Sequence, residues 1–241
     1  MYKEIKNIFT VDVGNTNTSV AKWINGEPEY CSIDLINSSS VVIISDVKGV
    51  NLKLPSKKVI RINQKNLSTF GKMESKYGLK AGSDRLLFAY AGYEMITSEQ
   101  RLKKILLIDS GTFSTLDIVS TMGFEGGIIV PGVELIKNAF KTGDQLHPPC
   151  QKGHQRESLY PFQDTKTTLS QAAWYILESL TLRIVQEYKV DHVLITGGNG
   201  DSLRNIILKS NIPNTYDPMF VHRGIYHFFR NELGQTEPFM K

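Results

Sequence analysis

Apolar and polar residues alternate from Ile8 to Trp23, IFTVDVGNTNTSVAKW, with the period of two that marks a strand. Val11 and Val13 alternate with Thr10 and Asp12. Gly14-Asn15-Thr16-Asn17 breaks the pattern, and Val20, Lys22 and Trp23 resume it. The expectation is a strand, a tight turn and a second strand, with Gly14 supplying a turn of positive φ. A second stretch, Ile105 to Val119, repeats the pattern as ILLIDSGTFSTLDIV. Asp109, Gly111 and Thr115 stand where Asp12, Gly14 and Thr18 stand, 97 positions earlier (109 − 12). Two such hairpins in one chain predict an internal duplication of a β-rich α/β unit.

The remaining pattern alternates strands and helices. Further strands are expected at Glu29 to Asp34, Val41 to Ile44, Lys58 to Ile62, Ile128 to Val130 and Val190 to Thr196. Helices are expected at Asp84 to Glu94, Val133 to Thr142, Thr168 to Tyr188, Ser202 to Lys209 and His222 to Leu233. The class is therefore α/β. No linker separates the halves, and the boundary is placed before the second hairpin, giving subdomains 1-104 and 105-241. Asp144 to Thr167 reads as a long loop.

Composition narrows the function only slightly. The 241 residues are 41% apolar and 22% charged, with a net charge of +4. The basic residues are scattered, so no nucleic-acid partner is expected. Two cysteines, Cys31 and Cys150, fit a reducing compartment. There is no signal-like leader and no apolar run long enough to span a bilayer, so a cytoplasmic protein without membrane contact is expected.

The hairpins carry the first candidate chemistry. A turn of small residues offers amides and hydroxyls to a phosphate chain, and Asp12 at the strand end can hold a metal ion against it. An ordinary water-facing turn has the same composition. Two hairpins facing each other could grip a phosphate tail from both sides. Gly82-Ser83-Asp84-Arg85 opens a helix. There Asp84 is either a base for an alcohol or part of an N-terminal cap, and both can hold together. Arg suits planar anions.

Taken in order, Asp12-Val-Gly-Asn-Thr16, Gly82-Ser-Asp-Arg85, Asp109-Ser-Gly-Thr112, Gly126-Gly-Ile-Ile-Val-Pro-Gly132 and Thr196-Gly-Gly198 resemble type III pantothenate kinase. The resemblance spans roughly residues 8 to 200. It implies the duplicated actin-like ATPase (ribonuclease H-like) fold, two similar subdomains with mixed sheets flanked by helices. It also implies that ATP phosphates, with Mg²⁺, meet Asp12, Val13, Gly14, Asn15, Thr16, Asn17, Thr18 and Ser19, with Thr112 as a further ATP contact. Asp12 would act through the Mg²⁺. Asp109 maps onto the ligand of a monovalent cation, K⁺ or NH₄⁺. Pantothenate would meet Tyr77, Gly82, Ser83, Asp84, Arg85 and Thr165, with Asp84 as general base.

Thr165 in the family reaches the pocket across a homodimer interface, and Thr167 and Thr168 compete for that match. Ser110 and Phe113 stand where the family more often has Cys and Ala. The implied activity is ATP-dependent phosphorylation of pantothenate, the first step towards coenzyme A. The rival readings are a kinase of another small alcohol and an actin-like accessory protein that binds nucleotide without this transfer. His147, Cys150 and His154 lack a clear fourth ligand for a zinc site.

Overall fold

The two halves of the chain build the same sheet twice. The structure, a computed structural model, describes residues 7–14, 16–50, 52–63, 67, 72–77, 80–143 and 161–233. The first sheet contains β1 (Ile8–Val13), β2 (Thr18–Ile24), β3 (Glu27–Tyr30), β4 (Val41–Asp46) and β5 (Lys58–Ile62), in the order β3-β2-β1-β4-β5. The second contains β6 (Lys104–Ser110), β7 (Phe113–Ser120), β8 (Gly123–Pro131), β9 (His192–Thr196) and β10 (Asn214–Tyr216), in the order β10-β9-β6-β7-β8. Numbered within its own sheet, each reads 3-2-1-4-5. In both, the first strand pairs antiparallel with the second and parallel with the fourth. The expected duplication is thus present as topology.

Among the described residues the helices with defined bounds are α1 (Ser83–Ser98), α2 (Val133–Ala139), α3 (Thr165–Tyr188), α4 (Gly200–Ile207) and α5 (Phe220–Phe228). Contacts divide the chain into two units, and the division differs from a cut at 104/105. One unit is Met1–Glu94, Met122–Glu125 and Met219–Lys241; the other is Met95–Thr121 and Gly126–Pro218. The C-terminal helix α5 belongs with the first sheet because that is where its apolar face is buried. Gly224 of α5 lies so close to the backbone of Leu87 in α1 that an added Cβ would collide with the Leu87 carbonyl.

In the first unit, Phe9, Val11, Val13, Val20, Val42 and Ile44 form a core with Ile36. Side chains alternate across a strand, so Thr10, Asp12, Ser19 and Ser45 project from the opposite face. In the second unit, Leu106, Ile108, Leu116, Val193 and Ile195 pack with Trp174 and Leu177 of α3 and Leu203 of α4. Tyr226 and Phe228 of α5, and Phe229 just beyond it, are buried.

Several local expectations change. Glu29 to Asp34 is the end of β3 followed by a 3-10 turn at Ile33–Leu35. Gly123–Pro131 is one continuous strand, longer than the expected Ile128 to Val130, and Ile128 and Ile129 on it are exposed. The Val133 helix ends at Ala139 and continues as a 3-10 turn through Thr142. Residues 144–160, with His147, Cys150 and His154, lie outside the described residues. Among the described residues no group of three His, Cys, Asp or Glu could hold a metal ion. No helix there is long and apolar enough to cross a membrane.

Candidate active site

Asp12 stands one residue before the end of β1, with a hydroxyl residue on either side. Its register partner on β2 is Ser19, and on β4 it is Ser45. The turn between β1 and β2 closes through a hydrogen bond from the Gly14 amide to the Asn17 carbonyl, 3.0 Å. Gly14 does not take a positive φ, contrary to expectation, and a Cβ there would meet only ordinary contact at the Asn17 oxygen. Neither its backbone angle nor the space around it demands a glycine. Asn15 lies outside the described residues. Thr16, Asn17 and Thr18 are exposed at the hairpin tip.

A chain of contacts links this hairpin to the start of α1. Ser45 Oγ lies 3.0 Å from Ser83 Oγ, and both are buried. The β1–β4 ladder continues past the strand end, with the Val47 amide donating to the Val13 carbonyl at 3.2 Å. The next residue after Ser83 is Asp84. Its Oδ1 accepts from the Arg85 amide at 2.8 Å, inside the first turn of the helix. Gly82 makes room for this carboxylate, because a Cβ at position 82 would collide with Asp84 Oδ1. Asp12 and Asp84 thus belong to one unit and to the same end of its sheet.

Arg85 is nearly buried, at 9% exposure. Its guanidinium carbon lies 5.1 Å from the centroid of the Tyr77 ring and 5.8 Å from that of Phe124. Contacts of this kind fix the plane of a guanidinium and partly offset its lost hydration. Phe124 is held by backbone bonds on both sides: its amide donates to Glu74 O at 2.8 Å, and its carbonyl accepts from Lys76 N at 3.0 Å. Gly123 precedes it at φ +101°, with no space for a Cβ against Glu74. Phe124 did not emerge as a site residue from the sequence. The only hint was its place in a glycine-rich run.

The second hairpin repeats the arrangement in its own unit. Asp109 pairs with Thr115 on β7 and Thr196 on β9, again a carboxylate between two hydroxyl residues. By register, Thr115 therefore matches Ser19, not Thr18 as constant spacing implied. The second turn is one residue shorter, with Ser110 opposite Ser114 where Val13 stands opposite Thr18. The Gly111 amide closes this turn onto Phe113 O at 3.2 Å. Thr112 and Phe113 are exposed at its tip.

Two glycines cap this hairpin. Gly132 donates to Thr112 O at 2.9 Å and is packed so tightly on Gly111 and Thr112 that no Cβ fits. Gly197, at φ +87°, lies against the Asp109 carboxylate and Ser110, where a Cβ would collide with Asp109 Oδ1. Thr165 is the exposed first residue of α3, and Asp164 caps the helix by accepting from the Thr167 amide at 2.8 Å.

Two parallel-and-antiparallel sheets of one topology, each with an aspartate one residue before the end of its first strand and a tight turn beyond it, define the duplicated actin-like ATPase fold that includes sugar kinases. A solved structure described as a Baf family transcriptional activator from Campylobacter jejuni shares the fold, with TM-score 0.62 at 20% identity over 92% of this chain and 97% of that one. So does one described as an N-acetylmannosamine kinase from Listeria monocytogenes, with TM-score 0.51 at 12% identity over 92% and 98%.

Within that class, the chain belongs to the type III pantothenate kinase family, whose sequence model matches residues 35–187. The type III pantothenate kinase of Persephonella marina is 27% identical, covering 91% of this chain and 85% of that protein. That of Hyphomonas neptunium is 28% identical, covering 92% and 98%.

Proposed function

We infer that the protein transfers the γ-phosphoryl group of ATP to the hydroxyl of pantothenate, giving 4′-phosphopantothenate, the first step of coenzyme A biosynthesis. Family membership supports the reaction. The observation that carries the site assignment is the run from Asp12 through Ser45 and Ser83 to Asp84. It joins a phosphate-type hairpin to a carboxylate at a helix start, within one unit.

In this reading Asp84 orients the pantothenate hydroxyl and takes its proton as the phosphoryl group leaves ATP. Gly82 keeps the carboxylate in place, and Ser83 anchors the helix start to the sheet. Arg85, its plane set by Tyr77 and Phe124, meets the carboxylate of pantothenate or the reacting phosphates. Residues 12–19 receive the ATP phosphates, and Thr112 makes a further ATP contact.

The donor set around each hairpin aspartate fits a cation, because a carboxylate between two hydroxyls offers only hard oxygen ligands. Asp12 is assigned to Mg²⁺ through the phosphates, and Asp109 to K⁺ or NH₄⁺. Bound there, the cations would offset phosphate charge. Thr165 would complete the pantothenate pocket of a partner copy in a cytoplasmic homodimer.

The test is ATP-dependent phosphorylation of pantothenate in potassium and in sodium buffer, for wild type and Asp84→Asn. Wild type is expected to turn over, and Asp84→Asn to lose roughly 10²- to 10⁴-fold in kcat. No turnover under any cation would sink the kinase reading. Full activity in Asp84→Asn would remove the assigned base alone.

A further inference from the structure

His222 is 1% exposed, and both of its ring nitrogens face hydroxyls of the first sheet. Nδ1 lies 2.9 Å from Thr10 Oγ1, and Nε2 lies 2.9 Å from Ser19 Oγ. Trp23 Nε1 also donates to Thr10 Oγ1, at 3.0 Å. The Trp23 ring stacks on Tyr226, one turn beyond His222 on α5, with centroids 3.7 Å apart. The ring of Tyr30 meets the imidazole edge-on at 5.9 Å. Filling this space would need only an apolar side chain, and burying an imidazole there costs its hydration unless both nitrogens are bonded. The bonds reach two strands of the sheet, and one of them ends on the residue beside Asp12.

Two hydrogen placements satisfy both bonds. A neutral imidazole carries one N–H. Thr10 Oγ1 has two lone pairs, so beside the Trp23 bond it can either accept a hydrogen from Nδ1 or donate its own to it. When Ser19 donates to Nε2, the ring hydrogen is on Nδ1; when Thr10 donates to Nδ1, the ring hydrogen is on Nε2 and Ser19 Oγ accepts it. In this second form, Ser19 keeps its own O–H to donate.

We propose that His222 takes the form protonated on Nε2 and is a positioning residue for the nucleotide: it holds the Ser19 hydroxyl as a hydrogen-bond donor to a phosphate oxygen at the first hairpin, beside Asp12. The C-terminal helix thereby becomes part of the nucleotide site without touching the ligand. This rests on reading the hairpin as a phosphate site.

The test measures the Kd of Mg·ATP by calorimetry, and steady-state kinetics with pantothenate, for wild type, Ser19→Ala, His222→Phe, His222→Gln and the Ser19→Ala/His222→Phe double variant. Ser19→Ala and His222→Phe are each expected to weaken ATP binding about tenfold to a hundredfold, the scale of one hydrogen bond to a charged group. KM for ATP should rise alike, with kcat and KM for pantothenate changed less than about threefold. His222→Gln, whose amide N–H can take the place of Nε2, should recover most of the affinity. The double variant should bind ATP no more weakly than Ser19→Ala, since both remove one interaction.

A folded His222→Phe with wild-type ATP affinity overturns the proposal, and so does strict additivity in the double variant. If His222→Phe does not fold, Ser19→Ala decides, because full ATP affinity there is equally fatal. A wild-type protein that binds ATP but leaves pantothenate untouched sinks the kinase reading while the binding comparisons still judge His222. One that binds no ATP overturns both.

Discussion

The carboxylate of Asp84 occupies the space that a side chain on Gly82 would take. Glycine is required there by its neighbour, without any unusual backbone angle. Gly82→Ala is expected to turn the Asp84 side chain away from its place beside the Arg85 amide. Given the assigned base, kcat should fall at least about tenfold, while the melting temperature moves little because only a flexible carboxylate must shift. Steady-state kinetics beside a thermal melt separates the two effects. Unchanged kcat would show that Asp84 works from another rotamer.

Arg85 tests the aromatic cradle. Tyr77→Ala should raise KM for pantothenate by about three- to thirtyfold, from a cation–π contact of about 0.5–2 kcal/mol. Tyr77→Phe, which keeps the ring, should stay close to wild type. Arg85→Lys should be worse than Tyr77→Ala, because an ammonium keeps the charge and loses the planar fork. A KM unchanged in all three variants would remove Arg85 from the substrate site.

Asp109→Asn is expected to abolish the difference between potassium and sodium buffers, leaving a low, cation-independent rate. Gly197→Ala should act on the same property, because its Cβ would displace the Asp109 carboxylate and the φ of +87° disfavours a side chain. Titrating activity with KCl at constant ionic strength reads both. An undiminished potassium response in Asp109→Asn would move the cation elsewhere.

Gly224→Ala should act on stability alone. The new methyl would collide with the Leu87 carbonyl, so α5 must lift from α1. Overpacking of this kind costs about 1–3 kcal/mol or more. A fall in denaturation midpoint in urea, without a change in slope, is the expected signature.

Mild acid should destabilise the fold. Burial lowers the pKa of His227, and Arg223 and Arg230 lower it further, against a smaller opposing pull from Glu27. Burial lowers His192 too, with Glu99 opposing and Arg101 adding to it. Both histidines bind a proton more readily in the unfolded chain. Their contribution is complete above the ordinary histidine pKa of 6.5 and declines as pH falls through that value. The melting temperature at about pH 5.5 should lie below that at about pH 7.5, and His227→Gln should narrow the gap.

The sequence alone determined the two hairpins, the α/β class, the duplication and the family, because those rest on local alternation and short motifs that survive in one dimension. It also placed Asp84 at a helix start. The register was decided only in three dimensions. A turn shorter by one residue makes Thr115 the counterpart of Ser19, which constant spacing hides. The same holds for Phe124 against Arg85, Gly197 against Asp109, and His222 between Thr10 and Ser19. Each partner comes from a distant part of the chain, brought in by sheet order and by the return of α5 to the first sheet. No periodicity encodes such a meeting, because what selects it is the space and hydrogen-bonding groups that packing leaves beside each strand end.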